Sequence, residues 1–224
     1  MFQKYKKAFV SWSGGKDSVL ACYNAMKNGE IEVAYLLNML SENGTHSRSH
    51  HLSVAVLKAQ AEAMRIPIVQ RQATWGGYEE EFKKALAFFK KEGIQAGVFG
   101  DIDVQEHRDW VKRVCSESGL NAVLPLWQRS RESLMGEFIA AGFKAVIVAV
   151  KLECMGSEWL GRQLDRQFVE DMKRLPQVDL CGENGEYHTF VYNGPIFKVP
   201  VAFSAGEKMH TQTHSFLDIV LKER

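Results

Sequence analysis

The sequence predicts an α/β fold: a doubly wound, mainly parallel sheet, followed by a small strand-rich appendage at the C-terminus. Three observations predict it. Short apolar runs rich in β-branched residues alternate with longer amphipathic stretches along most of the chain, a glycine follows several of these stretches, and turn residues with alternating strand-like runs dominate near the C-terminus. Strands separated by helices of this length are typical of right-handed crossovers, which build a parallel sheet.

The elements follow one another in a regular order. A strand pattern at residues 8–11 leads into a helical pattern at 16–28, which Gly29 ends. Further strand patterns are predicted at 33–37, 68–70, 98–99, 123–124 and 144–150, and the helical patterns between them at 52–65, 78–91, 104–118 and 132–141. The run 144–150 is the clearest buried strand, because it is almost wholly apolar.

The C-terminal region has a different character. A last helical pattern covers 162–175, and strand-like runs follow at 189–192 and 216–220, among turn residues and two prolines. We therefore predict a main domain at 1–175 and a small substrate-side subdomain at 176–224.

Composition and charge exclude several classes of protein. The chain has 224 residues, of which 46% are hydrophobic and 25% charged, as in an ordinary globular protein. Its 28 Lys and Arg against 27 Asp and Glu create no net field that would attract nucleic acid or an anionic membrane. Neither is therefore expected as a partner. The oligomeric state stays open, a homodimer included.

Cysteines and apolar runs predict the compartment. The four cysteines form no CxxC pair, so the sequence indicates neither a zinc ribbon nor a disulfide framework. The apolar run near the N-terminus is too short for a signal peptide, and 145–150 is far below membrane-spanning length. The predicted location is the cytoplasm.

The segment 13–18, which joins the first strand to the first helix, predicts the chemistry. Its backbone N–H groups and the positive end of the helix converge on one spot, which favours an anion. Glycines let the backbone approach phosphate oxygens, while the lysine adds charge and the serines add hydroxyl donors. The motif consists of Ser13, Gly14, Gly15, Lys16, Asp17 and Ser18. It matches neither GxxxxGK[ST], the pattern of Walker-type NTPases, nor GxGxxG, the pattern of dinucleotide-binding proteins. Asp17 would either help to hold Mg²⁺ or cap the helix.

This string resembles the PP-loop of the N-type ATP pyrophosphatases, in which SGGxDS after the first strand binds the pyrophosphate of ATP. The resemblance implies a Rossmann-like PP-loop fold and ATP as the bound nucleotide. A tight strand-to-helix turn is the simpler alternative for the two glycines. Charge on departing pyrophosphate would be stabilised by N–H donors, Lys16 and a divalent cation such as Mg²⁺.

Further segments resemble the diphthine–ammonia ligase family in the right order, up to about Phe197. They are GDID at 100–103, EHRDWV at 106–111, PLW at 125–127 and CGENGEYHT at 181–189. The resemblance implies an AMP-forming amide ligase. Such an enzyme adenylates the carboxylate of diphthine, a modified histidine of elongation factor 2, and ammonia then displaces AMP to give diphthamide.

The resemblance also implies roles for individual residues. Lys16, Asp17, Glu183, Glu186 and His188 are the predicted catalytic residues, and a polar turn between two strands is the alternative for the last three. Substrate contacts are predicted from the carboxyl edge of the sheet and from these segments. They are Arg48, His50, Gly100, Asp101, Asp103, His107, Arg108 and Thr189.

Two segments depart from the family pattern. The run QEHRDW stands where the family has a run rich in Tyr, Gln and Arg, and the loop 41–51 differs from the usual tyrosine-bearing version. The acceptor is therefore less well determined than the ATP chemistry. Other acceptors, such as a tRNA base or a small metabolite, and a non-catalytic nucleotide sensor stay open as alternatives.

Overall fold

A computed structural model describes residues 7–27, 29–48 and 50–222. Parts of some sequence predictions lie outside these residues: the start of the N-terminal segment, the last position of the first helix, one position of the loop 41–51 and the last two residues. The chain divides into two compact units. One contains the chain up to Ser13 with Asp17–Arg48 and Arg65–Gln128, and the other contains Gly14–Lys16, Ser49–Met64 and Arg129–Arg224.

The first unit contains a five-stranded sheet in which all strands are parallel. The strand order is β3-β2-β1-β4-β5, which is the doubly wound arrangement. The predicted α/β class is thus confirmed. The strands are β1 (Lys7–Ser11), β2 (Glu32–Leu40), β3 (Ile68–Gln72), β4 (Ala96–Val98) and β5 (Asn121–Val123).

Four helices connect these strands, at the positions that the periodicity predicts. They are α1 (Lys16–Lys27), α2 (Val54–Met64), α3 (Tyr78–Lys91) and α4 (Gln105–Glu117). Helix α3 buries Phe82, Leu86 and Phe89 in the core of the first unit, as their spacing predicts. The Phe89 ring stacks on Phe9 of β1 with ring centroids 4.8 Å apart.

The second unit contains a four-stranded antiparallel sheet of order β7-β6-β9-β8, so the predicted strand-rich C-terminal part is confirmed. Its elements are α2, described above, and α5 (Arg131–Ala140), β6 (Lys144–Lys151), a short 3-10 helix (Ser157–Trp159), α6 (Arg166–Met172), β7 (Tyr187–Asn193), β8 (Phe203–His210) and β9 (His214–Leu221). Among the described residues, no helix is both long and apolar enough to cross a membrane.

Two predictions for this region are wrong in detail, and one strand was missed. β6 does not continue the parallel sheet but pairs antiparallel with β7 and β9. The apolar run of β6 does not distinguish a parallel from an antiparallel sheet, because a central strand can be buried on both faces in either kind. The helix predicted at 162–175 is shorter in the structure, where α6 covers only Arg166–Met172. Its first turn is capped by the Asp165 carboxylate, which accepts from the Phe168 N–H at 2.7 Å. The exposed, polar strand β8 was missed.

Candidate active site

The predicted anion loop lies between β1 and α1, and the division between the two compact units passes through it. In the first unit, the Ser13 and Ser18 hydroxyls lie 3.1 Å apart, and Asp17 stands in the first turn of α1. These hydroxyl groups and the N-terminus of α1 are the donors that the sequence predicts for a phosphate.

Both loop glycines are required by their surroundings in the second unit. Gly14 has φ +83°, a left-handed conformation that glycine adopts without strain. A Cβ atom at this position would also lie 2.7 Å from Gln60 Oε1. At Gly15 a Cβ atom would overlap the His50 imidazole and lie 3.1 Å from the Thr189 carbonyl oxygen. The glycines therefore let the loop lie directly against α2 and β7.

Strand β7 holds the loop through its backbone and one side chain. The Val191 N–H donates to the Gly14 carbonyl at 3.1 Å, and the Lys16 N–H donates to Thr189 Oγ1 at 3.0 Å. The Lys16 N–H, which the motif suggested as a phosphate donor, is thus engaged by Thr189. Thr189, predicted to contact substrate, is 1% exposed and contacts the loop itself.

The Lys16 side chain extends towards the segment before β7. Its ammonium group donates to the Cys181 carbonyl oxygen and lies 5.3 Å from the centre of the Tyr187 ring. The Tyr187 hydroxyl donates to the Leu180 carbonyl at 2.6 Å, which fixes the ring. The buried Lys16 ammonium is therefore stabilised by a carbonyl dipole and an aromatic face. It links the loop to the segment 179–186, which contains the predicted catalytic residues Glu183 and Glu186.

Two carboxylates organise that segment, the turn 179–186. The Glu186 side chain is 3% exposed; its Oε1 accepts from the Asp179 N–H at 2.9 Å and its Oε2 from the Asn184 N–H at 3.0 Å. Asp179 accepts from the Cys181 N–H at 2.8 Å and pairs with Arg131 at 2.9 Å. Both Glu186 oxygens are therefore used within the turn. Glu183 is half-buried, and its N–H lies 3.4 Å from Asp179 Oδ1.

His188 and His50 lie beside each other next to this turn. Their ring centroids are 4.6 Å apart, and His50 Nδ1 donates to the Thr189 carbonyl at 2.8 Å. Desolvation lowers the pKa of His188 well below 6.5, and the nearby charges of His50, Lys16 and His214 lower it further. At neutral pH the His188 imidazole is therefore uncharged, and one of its ring nitrogens can accept a hydrogen bond.

A second cluster lies at the carboxyl edge of the parallel sheet, within the first unit. The Arg48 guanidinium donates to the Ala73 carbonyl at 2.8 Å and stacks on two rings, 4.2 Å from the centre of Trp75 and 5.4 Å from that of Tyr78. Trp75 is 85% exposed. Ligands bind at such edges in open α/β sheets.

The segment 100–108 completes the residues of the first unit. Gly100 is required because a Cβ atom there would lie 2.9 Å from the Asp17 backbone carbon. Asp101 Oδ1 lies 3.4 Å from His107 Nδ1. The Arg108 guanidinium stacks 4.8 Å from the centre of the Trp127 ring. Asp103 is exposed.

Asp17 and Asp101 are two carboxylates of the first unit whose charges influence each other. Burial raises the pKa of Asp101, whereas the neighbouring His107 lowers it. The negative charge of Asp17 raises the pKa of Asp101 further, so the two carboxylates interact. Within the described part of the chain, no group of three or more His, Cys, Asp or Glu could hold a metal ion. Two carboxylates nevertheless suit Mg²⁺, which often binds one or two of them together with substrate phosphates.

The sequence missed two residues that the structure places against the loop, Gln60 and Tyr187. Gln60 is fully buried on α2 and donates to the Gly14 and Val191 carbonyls. A single polar residue on an otherwise apolar helix face was the signal for Gln60. Tyr187 had no such signal, since a tyrosine at the start of a strand is common.

Comparisons with known proteins agree over most of the chain. The family model of the diphthamide synthase N-terminal domain matches residues 6–122, and that of the C-terminal domain matches 130–223. A relative from Mus musculus named diphthine–ammonia ligase is 29% identical over 239 residues, covering 92% of this chain and 86% of the relative. Relatives of the same name from Homo sapiens and Danio rerio are each 27% identical, covering 92% of this chain and 86% and 90% of their own lengths.

Proposed function

Because this chain belongs to the diphthamide synthase family, through matches to both of its domains, we propose that it is an ATP-dependent, AMP-forming amide ligase of the diphthine–ammonia ligase type. It adenylates a substrate carboxylate and converts it into an amide with ammonia, as in the conversion of diphthine to diphthamide. The observation that carries the proposal is the family match over most of the chain, around a glycine loop whose Lys16 contacts the turn 179–186.

The acceptor is a protein-borne diphthine, with elongation factor 2 as the proposed carrier. The alternatives, a tRNA base, a small metabolite or a sensor without turnover, are not favoured by the family. The proposed location is the cytoplasm. The proposed domains remain an ATP-binding part at 1–175 and a substrate-side part at 176–224.

The reaction needs two displacements. A carboxylate oxygen attacks the α-phosphorus of ATP, forming the acyl adenylate and releasing pyrophosphate. Ammonia then attacks the carbonyl carbon, loses a proton, and AMP leaves with the electron pair of the C–O bond. Activation is required because an oxide ion is a poor leaving group, whereas AMP is a good one.

We assign the first displacement to the glycine loop. Ser13, Gly15 and Ser18 bind the phosphates, and Lys16 supplies positive charge where charge develops on pyrophosphate. Mg²⁺, held by Asp17 and Asp101, would neutralise phosphate charge when bound. Donors fixed before the reaction cost no reorganisation when the charge appears.

We assign the second displacement to the segment before and within β7. His188, kept uncharged by its surroundings, accepts the proton that the nitrogen loses. Glu183 is the carboxylate that accepts a hydrogen bond from ammonia and orients it for the attack, while Glu186 holds the turn that carries Glu183 and precedes His188. Arg48, His50, Asp103, His107 and Arg108 are proposed to contact the acceptor.

The test is a reaction containing ATP, Mg²⁺ and ammonium, with and without elongation factor 2 that carries diphthine. AMP release and the acid-to-amide mass change are followed together. The proposal requires both to appear only with the acceptor. AMP without the amide would point to another acceptor, and bound but unsplit ATP would point to a sensor.

Lys16→Met tests the loop within the same assay. We expect kcat to fall about 100-fold to 1,000-fold, as for loss of other preorganised charge-stabilising donors. The matched control is Lys198→Met, because Lys198 is exposed in the same unit. Equal activities of the two variants would exclude Lys16 from the chemistry.

A further inference from the structure

Gln60 is a buried polar residue of the second unit that the reaction scheme leaves unused. It is 0% exposed, and the other buried residues of α2 are Val56, Leu57, Ala61, Ala63 and Met64. Burying an amide costs free energy unless it is hydrogen-bonded. Its presence on this face therefore calls for a specific contact.

That contact is with the glycine loop. Gln60 Nε2 donates to the Gly14 carbonyl at 2.9 Å and to the Val191 carbonyl at 2.7 Å. The Val191 N–H donates to the same Gly14 oxygen at 3.1 Å. The Gly14 carbonyl is thus held towards α2 and β7 by two donors. Gln60 bridges the loop and the strand.

Holding this carbonyl fixes the direction of the next N–H group. In a planar trans peptide the carbonyl of Gly14 and the N–H of Gly15 point in opposite directions. The Gly15 N–H is therefore directed away from β7. A peptide between two glycines rotates easily, because neither residue has a Cβ atom to restrict it. If it turned over, a carbonyl oxygen would face the anion in place of an N–H donor.

There is little room for the peptide to shift. A Cβ atom on Gly14 would lie 2.7 Å from Gln60 Oε1, 2.8 Å from Leu57 Cδ2 and 2.9 Å from Leu52 Cδ1. The Gly14 backbone therefore lies directly on this part of α2. Gln60 is thus one of the side chains on which the Gly14 backbone packs.

We propose that Gln60 is a positioning residue for the pyrophosphate site: it holds the Gly14 carbonyl towards β7 and so presents the Gly15 N–H to the phosphate. The inference rests on the proposed function, in which ATP leaves pyrophosphate in this loop. Gln60 touches no reacting atom and acts only through the loop.

Gln60→Met tests the inference, since methionine is similar in length but has no amide donor. Binding of pyrophosphate and of AMP is measured by calorimetry in a buffer containing Mg²⁺. Loss of one well-directed hydrogen bond to a charged group predicts a Kd for pyrophosphate about 10-fold to 100-fold higher. The Kd for AMP should change less than about twofold, because the Gly14–Gly15 peptide is assigned to the leaving phosphates. The control is Lys58→Met, an exposed residue on the same helix.

Each outcome decides the question. An unchanged pyrophosphate Kd in folded Gln60→Met would overturn the inference, as would an equal loss of pyrophosphate and AMP affinity. Gln60→Leu is a second apolar variant, and unfolding of both variants would show that Gln60 merely supports the core. Wild-type protein that neither binds pyrophosphate nor forms AMP would instead refute the proposed function itself.

Discussion

Replacement of Glu186 by glutamine separates support of the turn 179–186 from direct chemistry. The Glu186 carboxylate is buried, and its two oxygens accept different hydrogen bonds. Oε1 accepts from the Asp179 N–H at 2.9 Å and from Asn184 Nδ2 at 3.1 Å, and Oε2 accepts from the Asn184 N–H at 3.0 Å. Glutamine keeps the shape but has only one oxygen, and its NH₂ group would face an N–H donor.

The expected loss of stability follows from these three hydrogen bonds. A bond to a charged group contributes about 1.5–3 kcal/mol and a neutral one about 0.5–1.5 kcal/mol. Glu186→Gln removes one bond to a charged group and weakens the other two. Together these changes predict a free-energy loss of about 3–5 kcal/mol at the turn. At about 2–4 °C per kcal/mol for a chain of this size, the melting temperature should fall by roughly 6–20 °C.

The assay combines thermal unfolding with hydrogen exchange of the amides in 179–186. Exchange there should accelerate most, because local opening reports local stability. Glu153→Gln is the matched control: its side chain is 75% exposed, so less than about 0.5 kcal/mol is expected. Native unfolding and exchange in Glu186→Gln, together with lost AMP formation, would refute the supporting role and assign Glu186 to the chemistry.

Three further predictions concern protonation, thiols and the acceptor. Because the folded-state pKa of His188 lies below 6.5, the unfolded chain binds more protons under acidic conditions, and stability should fall as pH drops through 6.5. His188→Asn should weaken that dependence in denaturant titrations. Burial raises the pKa of the Cys22 and Cys115 thiols to about 12, so a thiol reagent at neutral pH should modify the half-buried Cys154 first, as peptide mapping can check. Arg48→Lys keeps the charge but loses the planar stacking on Trp75, so the KM for the acceptor should rise about tenfold while the KM for ATP stays unchanged; equal KM values would exclude an acceptor contact.

The sequence predicted most of the first unit because its signals are local. The anion loop, the helices and the parallel strands are each visible within a few residues of hydrophobic periodicity or glycine spacing. The same is true of the motifs that revealed the family. Local signals do not reveal strand partners, however. β6 was therefore placed in the wrong sheet, and the polar edge strand β8 was missed.

The sequence by itself determined that a glycine loop opens α1 and which polar groups that loop contains. The tertiary structure decided which of these polar groups are already engaged. Lys16 and Thr189 are 173 positions apart, and Gln60 and Gly14 are 46 apart, yet each pair is hydrogen-bonded. Such bonds depend on how the chain folds back on itself. A motif fixes the chemical groups that are present, whereas folding fixes their partners and directions.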